Sequence, residues 1–176
     1  MFKWEIKQTD IVKMRKSLLK LQSMIEHEAG VLSYNNAASF RAMLLRNILT
    51  QKFATTYAPY SPRYAEWKTQ KMLLGSHFWK LFGDVLENIT LHRRNDGWFA
   101  GIPEGIYDSG GKSWFATKTN RVGKKKPVSM YAIVMEEGLN SHPARPMFGP
   151  TLDEYAAGEW IRQAEQSLKR INEAWR

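Results

Sequence analysis

Hydrophobic residues near the start of the chain recur at alternating steps of three and four positions. These residues are Ile11, Met14, Leu18, Leu21 and Ile25. The spacing places them on one face of an α-helix, and Thr9 or Asp10 can cap its start. We expect Gly30 to break this helix, because glycine disfavours a helix interior.

A second helix is predicted from about Asn35 and Asn36, ending before Pro59. Its apolar side would consist of Phe40, Leu44 and Ile48, with Leu45, Leu49 and Phe53 as further candidates. Ser61 followed by Pro62 then resembles a helix N-cap with proline at the first helical position. This third helix would reach about Leu74 and end at Gly75.

The middle of the chain changes to a period of two, which is typical of a β-strand. Val85, Glu87, Ile89 and Leu91 alternate with Leu86, Asn88, Thr90 and His92. Asp96 and Gly97 then supply the signal of a tight hairpin, and residues 98–102 would form the returning strand. We therefore expect a small antiparallel sheet.

A long basic segment follows at residues 103–129. Between Gly110 and Lys126 it contains no acidic residue and six positive ones, which are Lys112, Lys118, Arg121, Lys124, Lys125 and Lys126. Trp114 and Phe115 lie within it. Three interpretations stay open: an arm gripping an acidic face of a neighbouring subunit, a solvated loop, or a contact with DNA phosphates.

The last part of the chain is predicted to be helical. Thr151 and Glu154 match a capping box after Pro150. An apolar stripe follows, irregular around Gly158, consisting of Leu152, Tyr155, Ile161, Ala164, Leu168, Ile171 and Trp175. The predicted fold is α+β in one domain, residues 1–176. It has N-terminal helices (1–56), a sheet region (57–150) that carries the basic arm, and a C-terminal helix (151–176) packed on the sheet.

Composition argues against catalysis. The chain has no cysteine, and its four histidines, at positions 27, 77, 92 and 142, lack metal-site spacing. We find neither a phosphate-binding glycine loop nor a nucleophile motif. We therefore expect no enzyme activity, no cofactor and no metal. The formal charge of +9 and pI of about 9.8 favour anionic partners, so a small basic DNA-binding protein is the alternative function.

One segment carries a more specific pattern. Residues 131–138 read Tyr-Ala-Ile-Val-Met-Glu-Glu-Gly, and residues 144–150 read Ala-Arg-Pro-Met-Phe-Gly-Pro. Together with Ser61 to Lys68 upstream, this order resembles the phage neck and tail-completion proteins, a family of virion morphogenesis and head–tail joining proteins. The resemblance covers about residues 57–170. The basic segment stands as an apparent insertion, and Met147 replaces an aromatic residue that often follows Arg-Pro in that family.

The resemblance implies a structural protein of a tailed-phage virion, made in the host cytoplasm. It implies a homo-oligomeric ring, six- or twelve-fold, that joins the head connector to the tail tube or tail terminator and lets DNA pass. On this resemblance we expect no membrane partner. The motif residues expected to organise the fold and the interface are Tyr131, Glu136, Glu137, Gly138, Arg145, Pro146 and Phe148. Arg145 can hold a carboxylate with its two-pronged donor group. Glu137 is the first candidate partner and Glu136 the second.

Overall fold

The computed structural model describes residues 8–70, 84–103, 128–138 and 143–175, apart from the side chains of Trp67, Lys68, Asp84 and Tyr131. Within these ranges the protein is α+β, mainly helical with one small antiparallel sheet, as the sequence predicted. Residues 104–127 of the predicted basic arm, and the predicted end of the third helix at Leu74 and Gly75, lie outside the described residues. The arm was predicted to reach residue 129, but Val128 already begins a helix.

The first helix, α1, runs without interruption from Gln8 to Thr50 over 43 residues. The predicted break at Gly30 and the new start at Asn35 are therefore wrong. Gly30 is exposed, and one exposed glycine costs a helix only about 1 kcal/mol. Asn36 does not begin a helix. Its Oδ1 accepts a hydrogen bond from the Tyr155 hydroxyl at 2.7 Å.

The end of α1 before Pro59 is confirmed, and the backbone shows why it falls there. Gln51 adopts a left-handed conformation with φ of 54°. The N–H of Gln51 bonds the Ile48 carbonyl at 3.2 Å, and the N–H of Lys52 bonds the Asn47 carbonyl at 3.0 Å. This pair of bonds is a Schellman motif, which satisfies the last carbonyls of the helix. A short 3-10 turn at Ala54–Thr56 follows.

The next elements are short. Helix α2 spans Pro62–Gln70, so it begins at the predicted proline. Helix α3 spans Asp84–Asn88, where a strand was predicted. The error has a simple cause, because Val85 and Ile89 are both buried and a spacing of four fits one helix face as well as it fits an alternating strand.

The predicted hairpin is confirmed and begins later than expected. Strand β1 is Thr90–Arg94 and strand β2 is Gly97–Gly101, paired antiparallel with Arg94 opposite Gly97. Gly97 has φ of 145°, and an added Cβ would lie 2.7 Å from Ser33 Oγ. The same Oγ accepts a hydrogen bond from the Trp98 N–H at 2.9 Å. Glycine here lets the hairpin dock closely on α1.

The described residues of the C-terminal half form three α-helices and one π turn. Helix α4 is Val128–Ile133, followed by a π turn at Val134–Gly138; helix α5 is Phe148–Ala157 and helix α6 is Glu159–Trp175. A single C-terminal helix was predicted from residue 151. In the structure it begins three residues earlier, at Phe148, and Gly158 divides it into two helices. Arg170 contacts Glu28 at 2.8 Å and Gln163 contacts Ser39 at 2.9 Å, so α6 lies antiparallel along α1. The prediction that the C-terminal helix packs on the sheet is therefore wrong for the described residues, because α1 provides the surface that it covers.

The core forms around the second half of α1. Its buried members lie in α1, just after α1, in and next to α3, in α4 and just before α5: Leu44, Ile48, Tyr57, Val85, Ile89, Val128, Ala132 and Met147. Arg41 Nε also donates to the Ile89 carbonyl at 2.6 Å. The first part of α1 makes no comparable contribution, since each residue from Gln8 to Lys20 is exposed.

Replacing Gly30 with alanine tests the continuity of α1. The added Cβ meets no atom within 4 Å, and alanine favours the helical backbone. We expect the free energy of unfolding to rise by about 0.5–1 kcal/mol, measured by urea denaturation. A loss of stability would instead support a break at this position.

Candidate functional site

The π turn after α4 presents one carboxylate to the start of α5. Glu136 Oε2 accepts hydrogen bonds from the N–H groups of Met147 at 2.7 Å and Phe148 at 2.9 Å. Its Oε1 accepts a third from the N–H of Gly149 at 2.7 Å. These amides have no partner within the helix, and the helix dipole favours a negative charge there. Glu136 therefore caps α5 from eleven residues away in sequence.

Gly138 makes the close approach of the two segments possible. Its φ is 71°, and a Cβ added to it would lie 2.5 Å from the backbone nitrogen of Ala144. Beside it, the N–H of Arg145 donates to the Met135 carbonyl at 2.6 Å. Glycine alone fits both the backbone angle and the space. The motif glycine of the sequence therefore has a steric role.

Arg145 is nearly inaccessible, with 3% of its surface exposed. Its Nη2 donates to the Ala58 carbonyl at 3.2 Å and its Nη1 to the Pro143 carbonyl at 3.3 Å. The guanidinium carbon lies 4.6 Å from the centre of the Tyr60 ring. Among the described ion pairs, none joins Arg145 to Glu137 or Glu136. The described partners of Arg145 are two carbonyls and an aromatic ring, and neither predicted carboxylate is among them, because Glu136 binds the amides of α5 and Glu137 is exposed.

Tyrosines surround this buried cation. Tyr60 packs edge-to-face on Tyr64 at 4.8 Å between ring centres, and the Tyr57 hydroxyl donates to the Pro146 carbonyl at 2.5 Å. Burial raises the pKa of Tyr60 to about 12, although the charge of Arg145 acts in the opposite direction. Burial also lowers the pKa of Arg145, against the effect of the three tyrosines.

The predicted capping box does not form, because α5 begins before Thr151. The Asn47 amide donates to Thr151 Oγ1 at 3.1 Å and to Glu154 Oε2 at 3.3 Å. Lys52 forms an ion pair with Glu154 at 2.5 Å, and its hydrogen bond holds the pKa of that carboxyl below its usual value. Thr151 and Glu154 thus hold α5 against the end of α1.

The remaining motif residues have different positions. Tyr131 lies in α4, and Pro146 precedes the core residue Met147. Phe148 begins α5 and packs against the core of its own chain. We define residues 143–150 as the Arg-Pro segment. Its contacts reach the π turn, the stretch 57–60 and α5. The basic-arm residues lie outside the described residues, so their role stays a prediction.

The geometry offers no catalytic arrangement within the part of the chain that the structure describes. Glu136 and Glu154 are engaged in the structural contacts above. In the same ranges, no group of three histidine, aspartate or glutamate residues could hold a metal ion. No helix among the described residues is long and apolar enough to span a bilayer. The arrangement fixes the relative positions of helices.

Two exposed apolar surfaces were not identified from sequence as surfaces. The first, the α1 stripe, consists of Ile11, Met14, Leu18, Leu21 and Ile25. The second, the α6 stripe, consists of Ile161, Ala164, Leu168, Ile171 and Trp175. Met14 and Leu168 are each 65% exposed, whereas Leu21, Ala164 and Ile171 are half-buried, so the two surfaces are largely but not wholly exposed. The three–four spacing was visible in the sequence, but spacing does not reveal whether a partner covers it.

Comparison with protein-family models, with curated protein sequences and with solved structures found no match.

Replacing Glu136 with alanine tests the cap. The loss of three hydrogen bonds to one carboxylate should lower the free energy of unfolding by about 2–3 kcal/mol. Glu137→Ala is the matched control, because that neighbouring side chain is exposed, and it should change stability by less than about 0.5 kcal/mol. Equal effects of the two substitutions in chemical denaturation would contradict the assigned roles.

Tyr60 should make the protein less stable at alkaline pH. Its pKa rises from 10.0 to about 12 on folding, so the unfolded chain loses this proton first. The contribution is complete below pH 10 and is lost as pH rises toward 12. After allowance for its partial exposure, we expect about 1–2 kcal/mol.

The measurement is the free energy of unfolding as a function of pH for the wild type and Tyr60→Phe. Since phenylalanine keeps the ring over Arg145 and removes the ionising hydroxyl, the variant should show a shallower decline above pH 10. Phenolate absorbance gives a second readout, in which the difference between the two proteins should titrate near pH 12. Superimposable curves would rule out this assignment.

Proposed function

We propose that the chain is a structural virion protein of a tailed bacteriophage. It would be a neck or tail-completion subunit that forms a ring between the head connector and the tail. The resemblance over about residues 57–170, carried by residues 61–68, 131–138 and 144–150, supports this proposal. The Arg-Pro segment, which gives the resemblance its most specific residues, is also held by several defined contacts.

The observation that carries the proposal is the way this segment is fixed. Arg145 is buried against two carbonyls and a tyrosine ring, and Glu136 binds three successive amides. Such contacts hold the start of α5 in one position. A subunit that must present the same surfaces to its neighbours in a ring needs this rigidity, because flexible surfaces lose entropy when they dock.

The exposed apolar surfaces also favour assembly over catalysis. Contiguous apolar patches on a soluble chain commonly mark sites of protein association. The α1 stripe and the α6 stripe provide two such surfaces on different elements. Two different surfaces on one subunit are what a head-to-tail contact requires, and head-to-tail contacts generate rings when their rotation closes.

A small basic DNA-binding protein is the second candidate. The observation that favours it is the exposed cluster Lys13, Arg15, Lys16 and Lys20 on the first part of α1, together with the net charge of +9. Lysine and arginine give sequence-independent affinity for phosphates by releasing counterions. The two candidates therefore differ in the affinity for DNA that they predict and in how steeply that affinity falls as the salt concentration rises.

The discriminating experiment combines mass measurement with DNA binding. For the neck protein we expect particles of six or twelve times the 20.4 kDa subunit mass, seen as rings by electron microscopy. DNA retention on filters should be weak. A monomer that binds duplex DNA tightly, with affinity falling steeply as salt rises, would support the DNA-binding alternative instead.

Virions of the phage that encodes this chain provide the decisive sample. The protein should be present in purified particles and should be labelled by antibody at the junction of head and tail. Particles that join heads to tails without this polypeptide would disprove the proposed role.

A further inference from the structure

The first members of the α1 stripe, Ile11, Met14 and Leu18, lie on a part of the helix that no described element covers. Arg170 of α6 contacts Glu28 at 2.8 Å, so the last residues of α6 reach only to about position 23 of α1. Each residue from Gln8 to Lys20 is exposed. At 1.5 Å per residue this exposed part of α1 is roughly 20 Å long.

The stripe has the pattern of a helix-pairing seam. Its members alternate by three and four residues, which are the first and fourth positions of a seven-residue repeat. The α6 stripe repeats the same spacing. The two seams are also nearly equal in length, with 15 residues from Ile11 to Ile25 and 15 from Ile161 to Trp175.

Charge distinguishes between the possible pairings. Five of the six charged residues in α6 take part in ion pairs: Glu159 with Arg162, Lys169 with Glu173, and Arg170 with Glu28. Among the described ion pairs, Glu165 takes part in none, and it borders the α6 stripe between Ile161 and Leu168. On the α1 stripe, Arg15 occupies the equivalent position and likewise has no described ion pair.

Pairing of two α1 stripes would bring like charges together. Residues 8–25 contain Lys13, Arg15, Lys16 and Lys20 and only one acid, Asp10. The α6 stripe instead offers Glu165 beside its apolar members. Like charges facing each other across a helix pair disfavour it, whereas opposite charges at flanking positions select it.

We propose that the α1 stripe of one copy packs antiparallel on the α6 stripe of a second copy, with Arg15 facing Glu165. This contact rests on the proposed function, because it is the head-to-tail contact that a ring needs. Arg15 and Glu165 occupy the same position of the seven-residue repeat. In an antiparallel helix pair, equivalent flanking positions of the two helices face each other, so Arg15 and Glu165 meet. Met14 then lies opposite Leu168, and Leu18 lies opposite the small Ala164.

The chain has no cysteine, so single introduced cysteines test this contact without background. Two differently tagged variants, Met14→Cys and Leu168→Cys, are mixed at a concentration where the wild type is assembled, and then oxidised. Because Arg170 faces Glu28, Leu168 is level with about position 30 of α1, so within one chain it lies about 16 helical residues from Met14, or roughly 24 Å. A disulfide needs Cα atoms within about 7 Å, so a bond between these two positions can form only between copies.

The matched control uses Lys16→Cys and Gln166→Cys, which are exposed and lie on the opposite faces of the same helices. We expect the Met14→Cys and Leu168→Cys mixture to give roughly ten-fold more cross-linked heterodimer than the control mixture, because only facing thiols meet the disulfide geometry. Equal yields in the two mixtures would overturn the proposal.

A charge exchange provides a second readout. Arg15→Glu and Glu165→Arg should each weaken association by several-fold, and the double variant should restore it, since the pair is rebuilt with reversed signs. Additive weakening in the double variant would argue against the contact.

The outcomes separate this contact from the proposed function. If rings form but the Met14–Leu168 cross-link does not, the proposed contact is wrong and the proposed ring still stands. Efficient cross-linking of Met14→Cys to itself would show that two α1 stripes pair, which also excludes the proposed contact. A wild type that stays monomeric at every concentration would contradict both the contact and the ring.

Discussion

The capping of α5 by Glu136 is the interaction on which the C-terminal half of the structure depends. Met147, the N-cap residue, provides no side-chain cap of its own. The carboxylate supplies the missing acceptors for three amides and the negative charge that a helix N-terminus favours. Because Thr151 and Tyr155 of α5 then bond Asn47 and Asn36 of α1, the cap also determines where α5 lies on α1. The position of α6 follows, since only Gly158 separates the two helices.

Arg145 shows how backbone carbonyls and an aromatic ring contribute to holding a buried guanidinium. Carbonyl dipoles and the negative face of an aromatic ring both favour a guanidinium, and its weak hydration lowers the cost of burial. Burial still lowers the pKa of Arg145, so the stabilisation is a balance of opposing contributions. Lysine offers a point charge and could not reach both the Ala58 and Pro143 carbonyls in one planar arrangement. The geometry therefore selects arginine for its shape as well as its charge.

Sequence predicted the elements whose signals are local. The Asp96-Gly97 turn, the start of α2 at Pro62 and the end of α1 before Pro59 depend on backbone preferences of neighbouring residues. The errors arose where distant residues decide the outcome. Thr151 is a good N-cap in isolation, yet the N-cap position is Met147, four residues earlier, where Glu136 supplies the acceptor. Asn36 favours helix boundaries, yet it accepts a bond from Tyr155, more than a hundred residues away. Gly30 weakens a helix locally, but the buried residues after it and the continuous helix before it outweigh that loss.

The α1 stripe marks the limit of reading burial from periodicity. A three–four repeat predicts an amphipathic helix, and in most single domains its apolar face is covered by the same chain. Here the repeat is regular, but its first members are exposed while the buried part of α1 begins only at Ala37. A short helical extension gains little stability from propensity alone. Its apolar positions therefore contribute most when another helix covers them. On the proposed function that helix belongs to a neighbouring subunit, so the same residues that do least for the isolated fold would do most for the ring.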